Sequence, residues 1–127
     1  MIVMKFGGSS VGSVESIRLA VSVVFDSLNA HPVVILSAMG GVTDSLMETG
    51  DKAFRGLGSD VDEGVSALRE IHENALAELI TTSDLRDEVR DKLEPIWEEI
   101  QKVFTCVLLL NALRVPRDLR NNIYPWS

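Results

Sequence analysis

The sequence predicts an α/β fold with parallel strands at its N-terminus and a helix-rich segment after them. Three observations carry this expectation. Two short β-branched runs, Ile2 to Phe6 and Val33 to Leu36, each end in small residues; an amphipathic helical stripe lies between them; and seven of the nine glycines fall by position 56. At 127 residues, 46% hydrophobic and 24% charged, the chain holds enough apolar material for one packed core and too little for two.

The run Ile2 to Phe6 is broken only by Lys5, and both runs read as buried strands of the parallel type. Between them Val14, Ile17, Val21, Val24 and Leu28 recur at spacings of three and four, Ala20 and Phe25 widen the stripe, and Ser13 stands at the N-cap position. His31-Pro32 closes the connection, because proline disfavours helix in the residue before it. Such a crossover is right-handed and leaves the glycine loop at the carboxyl end of the first strand, the edge where open α/β sheets bind ligands. A second copy of the arrangement follows: Val33 to Leu36, the loop Ser37 to Val42, and a helix carrying Leu46, Met47 and Phe54, with Thr43 or Asp44 as its cap.

Beyond Gly56 to Gly58, Asp60 and Glu63 have capping-box spacing, and Val65, Leu68, His72, Ala75 and Leu79 trace one face of a third helix. Leu85, Val89, Leu93, Ile96, Ile100 and Val103 trace a fourth from near Ser83, with Trp97 extending its core face. Pro95 is expected to kink this helix or restart it. Met39 and Met47 are expected to pack. The organisation expected is one unit over 1–120, made of strand-loop-helix repeats in 1–56 and helices in 60–113, followed by a polar and aromatic tail over 121–127.

Twelve Lys plus Arg against nineteen Asp plus Glu give a net charge of −7, which argues against broad phosphate neutralisation and hence against a nucleic-acid partner. The acidity is local: residues 60–104 carry thirteen acids and five bases, whereas residues 1–59 carry five and four. The acids read as a solvated helix face, since none has the spacing of a calcium loop. Neither His31 nor His72 has a ligand partner at metal spacing, so no protein-held metal is expected. Val103 to Leu113, the longest apolar stretch, falls well short of the roughly 20 residues a membrane span requires. The lone Cys106 reads as a small hydrophobe in a reducing compartment, and Met1 to Phe6 lacks a signal-type apolar region, so the cytoplasm is the expected location.

The chemistry concentrates in Val3-Met4-Lys5-Phe6-Gly7-Gly8-Ser9-Ser10-Val11-Gly12. Two glycines directly after a strand let the backbone approach an anion, and the following helix offers free N–H groups and the positive end of its dipole. Lys5 is expected to project from the strand end towards the same place as a point charge. The pattern is neither a P-loop nor a dinucleotide fingerprint, because no Gly-Lys-Ser/Thr follows the glycines. In the second loop Ser37 and Thr43 can each hydrogen-bond a carboxylate or ammonium, and Gly40 and Gly41 permit close backbone approach. A plain helix cap by Thr43 or Asp44 is the alternative for those residues.

The run Val3 to Val11 resembles, position for position, the N-terminal signature of the aspartokinases within the amino acid kinase family, and Val34 to Asp44 is similar to that family's second signature. The resemblance implies a partial αβα sandwich of the amino-acid-kinase type. It also implies transfer of the γ-phosphoryl group of ATP, with Mg²⁺, to the side-chain carboxylate of L-aspartate, giving 4-phospho-L-aspartate for lysine, threonine and methionine synthesis. On it, Lys5 stabilises charge on the transferred group, Gly7, Gly8 and Ser9 line the phosphates with Lys5, and Ser37, Ala38 and Thr43 receive aspartate.

The specific motifs lie within residues 3–44. Leu110 to Leu113 with Pro116-Arg117 is similar to the family's approach to a Ser-Phe-Gly-Glu-like element, and that element is absent. The chain is therefore expected to be an N-terminal piece of an aspartokinase. The alternative is a noncatalytic remnant or interaction module. Unpaired strand edges would make the piece prone to association or homo-oligomerisation.

Overall fold

The computed structural model describes residues 1–113. The expected tail over 121–127 and the end of the 1–120 unit lie outside the described residues. In chain order the elements are strand β1 (Ile2–Phe6), a 3-10 turn (Gly8–Val11), helix α1 (Val14–Asp26), a 3-10 turn (Leu28–Ala30), strand β2 (Pro32–Leu36), and helices α2 (Val42–Phe54), α3 (Gly58–Leu79) and α4 (Ser83–Ala112). The expected α/β class holds, with β2 beginning one residue earlier than the β-branched run.

The two strands pair in parallel, in a register from Ile2 opposite Pro32 to Phe6 opposite Leu36. Strand alternation places Met4, Phe6, Val34 and Leu36 on one face and Val3, Lys5, Val33 and Ile35 on the other. Helix α1 lies over the first face: Ile17, Ala20, Val21 and Val24 join Phe6, Val34 and Leu36 around an apolar cleft of about 460 Å³. The predicted stripe of α1 is thus the stripe that faces the sheet. The burial predicted for the strands is not met: Val3 is 59% exposed on the opposite face of the sheet, and Phe25 of α1 remains 71% exposed. Strands of a parallel sheet are buried when helices cover both faces; among the described residues one helix half-covers one face, and the other face is bare.

The connection closes at His31-Pro32 as expected, and His31 leaves the right-handed helical region for φ 50° and ψ 65°, the left-handed region. It closes the Leu28–Ala30 turn, with its N–H donating to the Leu28 carbonyl at 3.0 Å.

The packed core sits among α2, α3 and α4. Ala53, Val61, Val65 and Phe104 form one buried group and Val42, Leu68 and Trp97 a second, with Leu46 and Ile100 packing against both. The buried row of α4 runs through Leu93, Trp97, Ile100 and Phe104. Leu85, Ile96 and Val103, expected in the core, are more than half exposed. The predicted and observed rows share Leu93 and Ile100 and differ by a small rotation about the helix axis. Helical spacing admits both, and the positions of α2 and α3 choose between them. Trp97 is buried as expected, and Met39 packs on the second group, but Met47 and Cys106 are exposed. The acidic stretch leaves α4 few apolar residues to spare, so this choice of row determines most of what it buries.

α4 runs through Pro95 without restarting. The intrahelical bond that Pro95 cannot donate belongs to the carbonyl of Asp91, an exposed residue whose carbonyl water can satisfy. α2 and α3 cross closely at Gly64, where an added Cβ would lie 2.4 Å from Thr49 Oγ1. α3 and α4 are tied by Arg69 to Glu94 and by Arg90 Nε to Glu73 Oε2 at 3.1 Å. The His72 ring, whose Nδ1 donates to the Leu68 carbonyl at 2.7 Å, meets the Trp97 ring edge-on at 5.1 Å. Arg18 of α1 donates to the Glu78 carbonyl at the end of α3, joining the sheet unit to the helices. No helix among the described residues is long and apolar enough to cross a membrane.

Candidate functional site

Both glycine loops leave the carboxyl ends of parallel strands and enter the N-termini of helices, so they open at one edge of the sheet. The first loop turns at once: the Ser10 N–H donates to the Gly7 carbonyl at 2.9 Å, and Val11, 6% exposed, anchors the turn. Ser13 caps α1 as the sequence predicts, its Oγ accepting from the Ser16 N–H at 3.2 Å. The cap leaves the start of α1 facing the loop with its positive dipole end.

The second loop extends the strand pairing by one residue, with the Ser37 N–H donating to the Phe6 carbonyl at 3.0 Å. This bond sets Ser37 beside the first loop. An added Cβ at Gly8 would lie 3.9 Å from Ser37 Oγ, ordinary contact distance. Further along, the loops touch through bare backbone. A Cβ at Gly40 would lie 3.1 Å from the Gly12 Cα, while one at Gly12 would meet its own loop first, 2.9 Å from the Gly8 carbonyl oxygen. Gly8 and Ser37, proposed from sequence for different substrates, are therefore neighbours.

The cap of α2 differs from expectation. Gly41, at φ 79°, is the N-cap, and its carbonyl accepts from the Ser45 N–H at 3.0 Å. A left-handed backbone here turns the chain sharply enough for the helix to begin at Val42, so Thr43 and Asp44 fall in the first turn rather than before it. The third helix is corrected in the same way: it begins at Gly58 after Leu57, which leaves Asp60 in its first turn and no capping box with Glu63. Freed from capping, Thr43 is exposed, and its hydroxyl bonds no other described residue; the same is true of Ser37. Ala38 is exposed between them and presents backbone.

Lys5 is exposed and stands opposite Ile35 on the sheet face away from α1, two residues before the first glycine. Among the described residues no carboxylate pairs with it, whereas Lys52 and Lys92 are each committed to a glutamate one turn away. Ser9 is exposed at the tip of the first turn, and Gly7 and Gly8 are half-buried beneath it. No group of three or more His, Cys, Asp or Glu residues is placed to hold a metal among the described residues. The arrangement offers backbone donors and one cation at a strand end, next to exposed hydroxyls on a second loop. It can hold an anionic group and a second polar molecule side by side. The contact between Gly12 and Gly40 was not foreseen; each glycine is visible in the sequence, but their meeting depends on the two strands being in parallel register.

Residues 1–112 match the amino acid kinase family. The chain is similar to the chloroplastic aspartokinase 2 of Arabidopsis thaliana, with 38% identity over 79 residues, covering 61% of this chain and 14% of the relative. It is similar to the aspartokinase of Bacillus sp. (strain MGA3), with 50% identity over 50 residues, covering 38% of this chain and 12% of the relative. It is 31% identical over 112 residues to the chloroplastic bifunctional aspartokinase/homoserine dehydrogenase of Daucus carota, covering 87% of this chain and 11% of that protein. The chain thus spans about a seventh of the length of the Arabidopsis relative. With two glycine loops meeting at the carboxyl edge of a parallel strand pair and a match across residues 1–112, the chain belongs to the amino acid kinase family.

Proposed function

We propose that this chain contributes the phosphate loop and the acceptor loop of an aspartate kinase. The observation that carries the reading is the adjacency of the loops: Gly8 of the first lies against Ser37 of the second, so a phosphoryl group over one loop would be next to an acceptor held by the other. In the reaction a side-chain carboxylate oxygen of L-aspartate forms a bond to the γ-phosphorus of ATP. The bond from that phosphorus to the β,γ-bridging oxygen breaks, ADP leaves, and 4-phospho-L-aspartate results. No proton transfer is required of the protein, so its work is positioning and charge stabilisation.

In this reading Gly7, Gly8 and Ser9 line the phosphates of Mg²⁺-ATP, with N–H donors at the start of α1 behind them. Lys5 neutralises charge that builds on the transferred group. Loss of a well-placed cation or donor of this kind typically costs about 10²–10³ in rate. Ser37 and Thr43 supply free hydroxyls for the ammonium and carboxylates of aspartate, and Ala38 supplies backbone. The exposed, unpaired Cys106 fits a reducing compartment such as the cytoplasm.

A second reading concerns the chain by itself. Among the described residues one face of the sheet and its two outer edges are uncovered, which favours association, with a second copy or with the remainder of a kinase domain, over turnover by the single chain. Calorimetric titration of Mg²⁺-ATP into the 127-residue chain tests the first reading: binding is expected in the wild type and lost in Lys5→Ala. Equal affinity in the two proteins would remove Lys5 from the phosphate site. An assay with ATP, Mg²⁺ and aspartate tests the second, since sustained turnover by the monomer would overturn it.

A further inference from the structure

Three glycines at the sheet edge have different reasons to be glycine. Gly41 has a left-handed backbone, φ 79°, and open space around an added Cβ, so its requirement is conformational. Gly12 is the reverse case. Its φ of −76° and ψ of −19° suit any residue, yet an added Cβ would lie 2.9 Å from the Gly8 carbonyl oxygen and 3.9 Å from the Gly40 Cα. Gly40 also lies outside the left-handed region, and its Cβ would meet the Gly12 Cα at 3.1 Å and the Gly12 carbonyl oxygen at 3.4 Å. The obstacle at Gly40 is the other loop's backbone; at Gly12 it is the first loop's own Gly8 carbonyl, with the Gly40 Cα at ordinary contact distance, and neither backbone can rotate aside as a side chain can.

We infer that Gly12 and Gly40 act as paired positioning residues, a backbone clamp that sets the spacing between the phosphate loop and the acceptor loop. The inference rests on the aspartate kinase reading for what the loops hold, and on the contact alone for how they are spaced. The clamp lies at the far end of the first loop from Gly7, while the Ser37 N–H to Phe6 carbonyl bond fixes the near end. Held at both ends, the loops present Gly8 and Ser37 to one another at a fixed separation. A methyl at Gly40 pushes the loops apart by a few tenths of an ångström, whereas one at Gly12 strains the first loop against its own Gly8 carbonyl. Since misplacement of about 1 Å can cost about 10² in rate, a displacement of this size is expected to weaken binding across the loops by about tenfold.

The test uses the full 127-residue chain as Gly40→Ala, with Gly58→Ala as control, where an added Cβ meets nothing within 4 Å. Without ligand, amide spectra of Gly40→Ala should show shifts across Gly7 to Gly12, with no such pattern in Gly58→Ala. With Mg²⁺-ATP, Gly40→Ala should bind about tenfold more weakly although Gly40 is not on the phosphate loop, while its thermal midpoint stays near that of the wild type. Spectral changes in Gly40→Ala confined to the second loop would overturn the clamp. So would a fall in ATP affinity that only follows a fall in thermal midpoint. Failure of the underlying reading has another signature: a wild type that does not bind ATP, or a Lys5→Ala variant that binds it equally well. In that event the ligand-free cross-loop shifts still decide whether the clamp exists.

Discussion

Gly64→Ala sets two effects of known size against each other, and the structure determines which is larger. Gly64 is inside α3, where alanine is the better helix former by about 0.8–1 kcal/mol. By that measure alone the substitution stabilises. The added methyl, however, would lie 2.4 Å from Thr49 Oγ1, 3.0 Å from its Cγ2 and 3.2 Å from its Cβ. Thr49 is 2% exposed, and its hydroxyl donates to the Ser45 carbonyl at 2.7 Å, so the side chain has neither free volume nor a free rotamer to move into. Overpacking of this kind costs about 1–3 kcal/mol, and a contact this short belongs in the upper half of that range. The net expectation is a loss of about 1–2 kcal/mol, or a midpoint lower by about 4 °C for each kcal/mol in a chain of this size. Thermal unfolding followed by far-ultraviolet circular dichroism reads it directly. Combining the substitution with Thr49→Ala removes the two nearest atoms and should restore most of the loss, giving a coupling of about 1 kcal/mol or more. A Gly64→Ala protein as stable as the wild type would refute the reasoning, because propensity would then have outweighed packing.

Other outcomes follow from the same packing and charge patterns. Leu68→Ala, at a side chain 1% exposed between Val42 and Trp97, should lose about 2–5 kcal/mol, whereas Leu85→Ala on the open side of α4 should stay within about 0.5 kcal/mol; equal effects in denaturant titrations would contradict the buried row. The hydrogen bond from Lys52 holds the Glu48 carboxyl below its ordinary 4.5, so the small stability this pair contributes is present above that pH and is lost as pH falls through the lowered value. Lys52→Ala should raise the Glu48 midpoint in a carboxyl-resolved NMR titration, and an unmoved midpoint would disprove the pairing. Because one face and both outer edges of the β1–β2 pair are uncovered among the described residues, sedimentation velocity should show association that grows with concentration. A single monomeric boundary at all concentrations would count against it.

The strand-loop-helix-strand unit was readable residue by residue because its determinants are local. β-branched runs, the spacing of Val14 to Leu28 and the hydroxyl of Ser13 each act within a few positions of themselves. The cap of α2 departs from the residue-type rule for a reason equally physical. Thr43 and Asp44 are good capping types, but a glycine able to enter the left-handed region two residues earlier starts the helix before either can serve. α4 shows the limit of periodicity: Leu93, Trp97 and Ile100 face inward as the spacing predicts, but only contact with α2 and α3 puts Phe104 inward and Ile96 and Val103 outward.

For the candidate site, the sequence by itself determined the parts: a cation on a strand end, two glycine loops, hydroxyls after the second strand, and enough of a signature to carry the family. The tertiary structure decided how those parts meet. Parallel register brings Ser37 to the Phe6 carbonyl and Gly40 onto Gly12, residues separated by a full helix in the chain, and no local rule encodes that distance. It also decided exposure. An apolar strand signals that it must be covered but not by what, so burial of Val3 and Ile35 depends on neighbours that their own sequence does not specify.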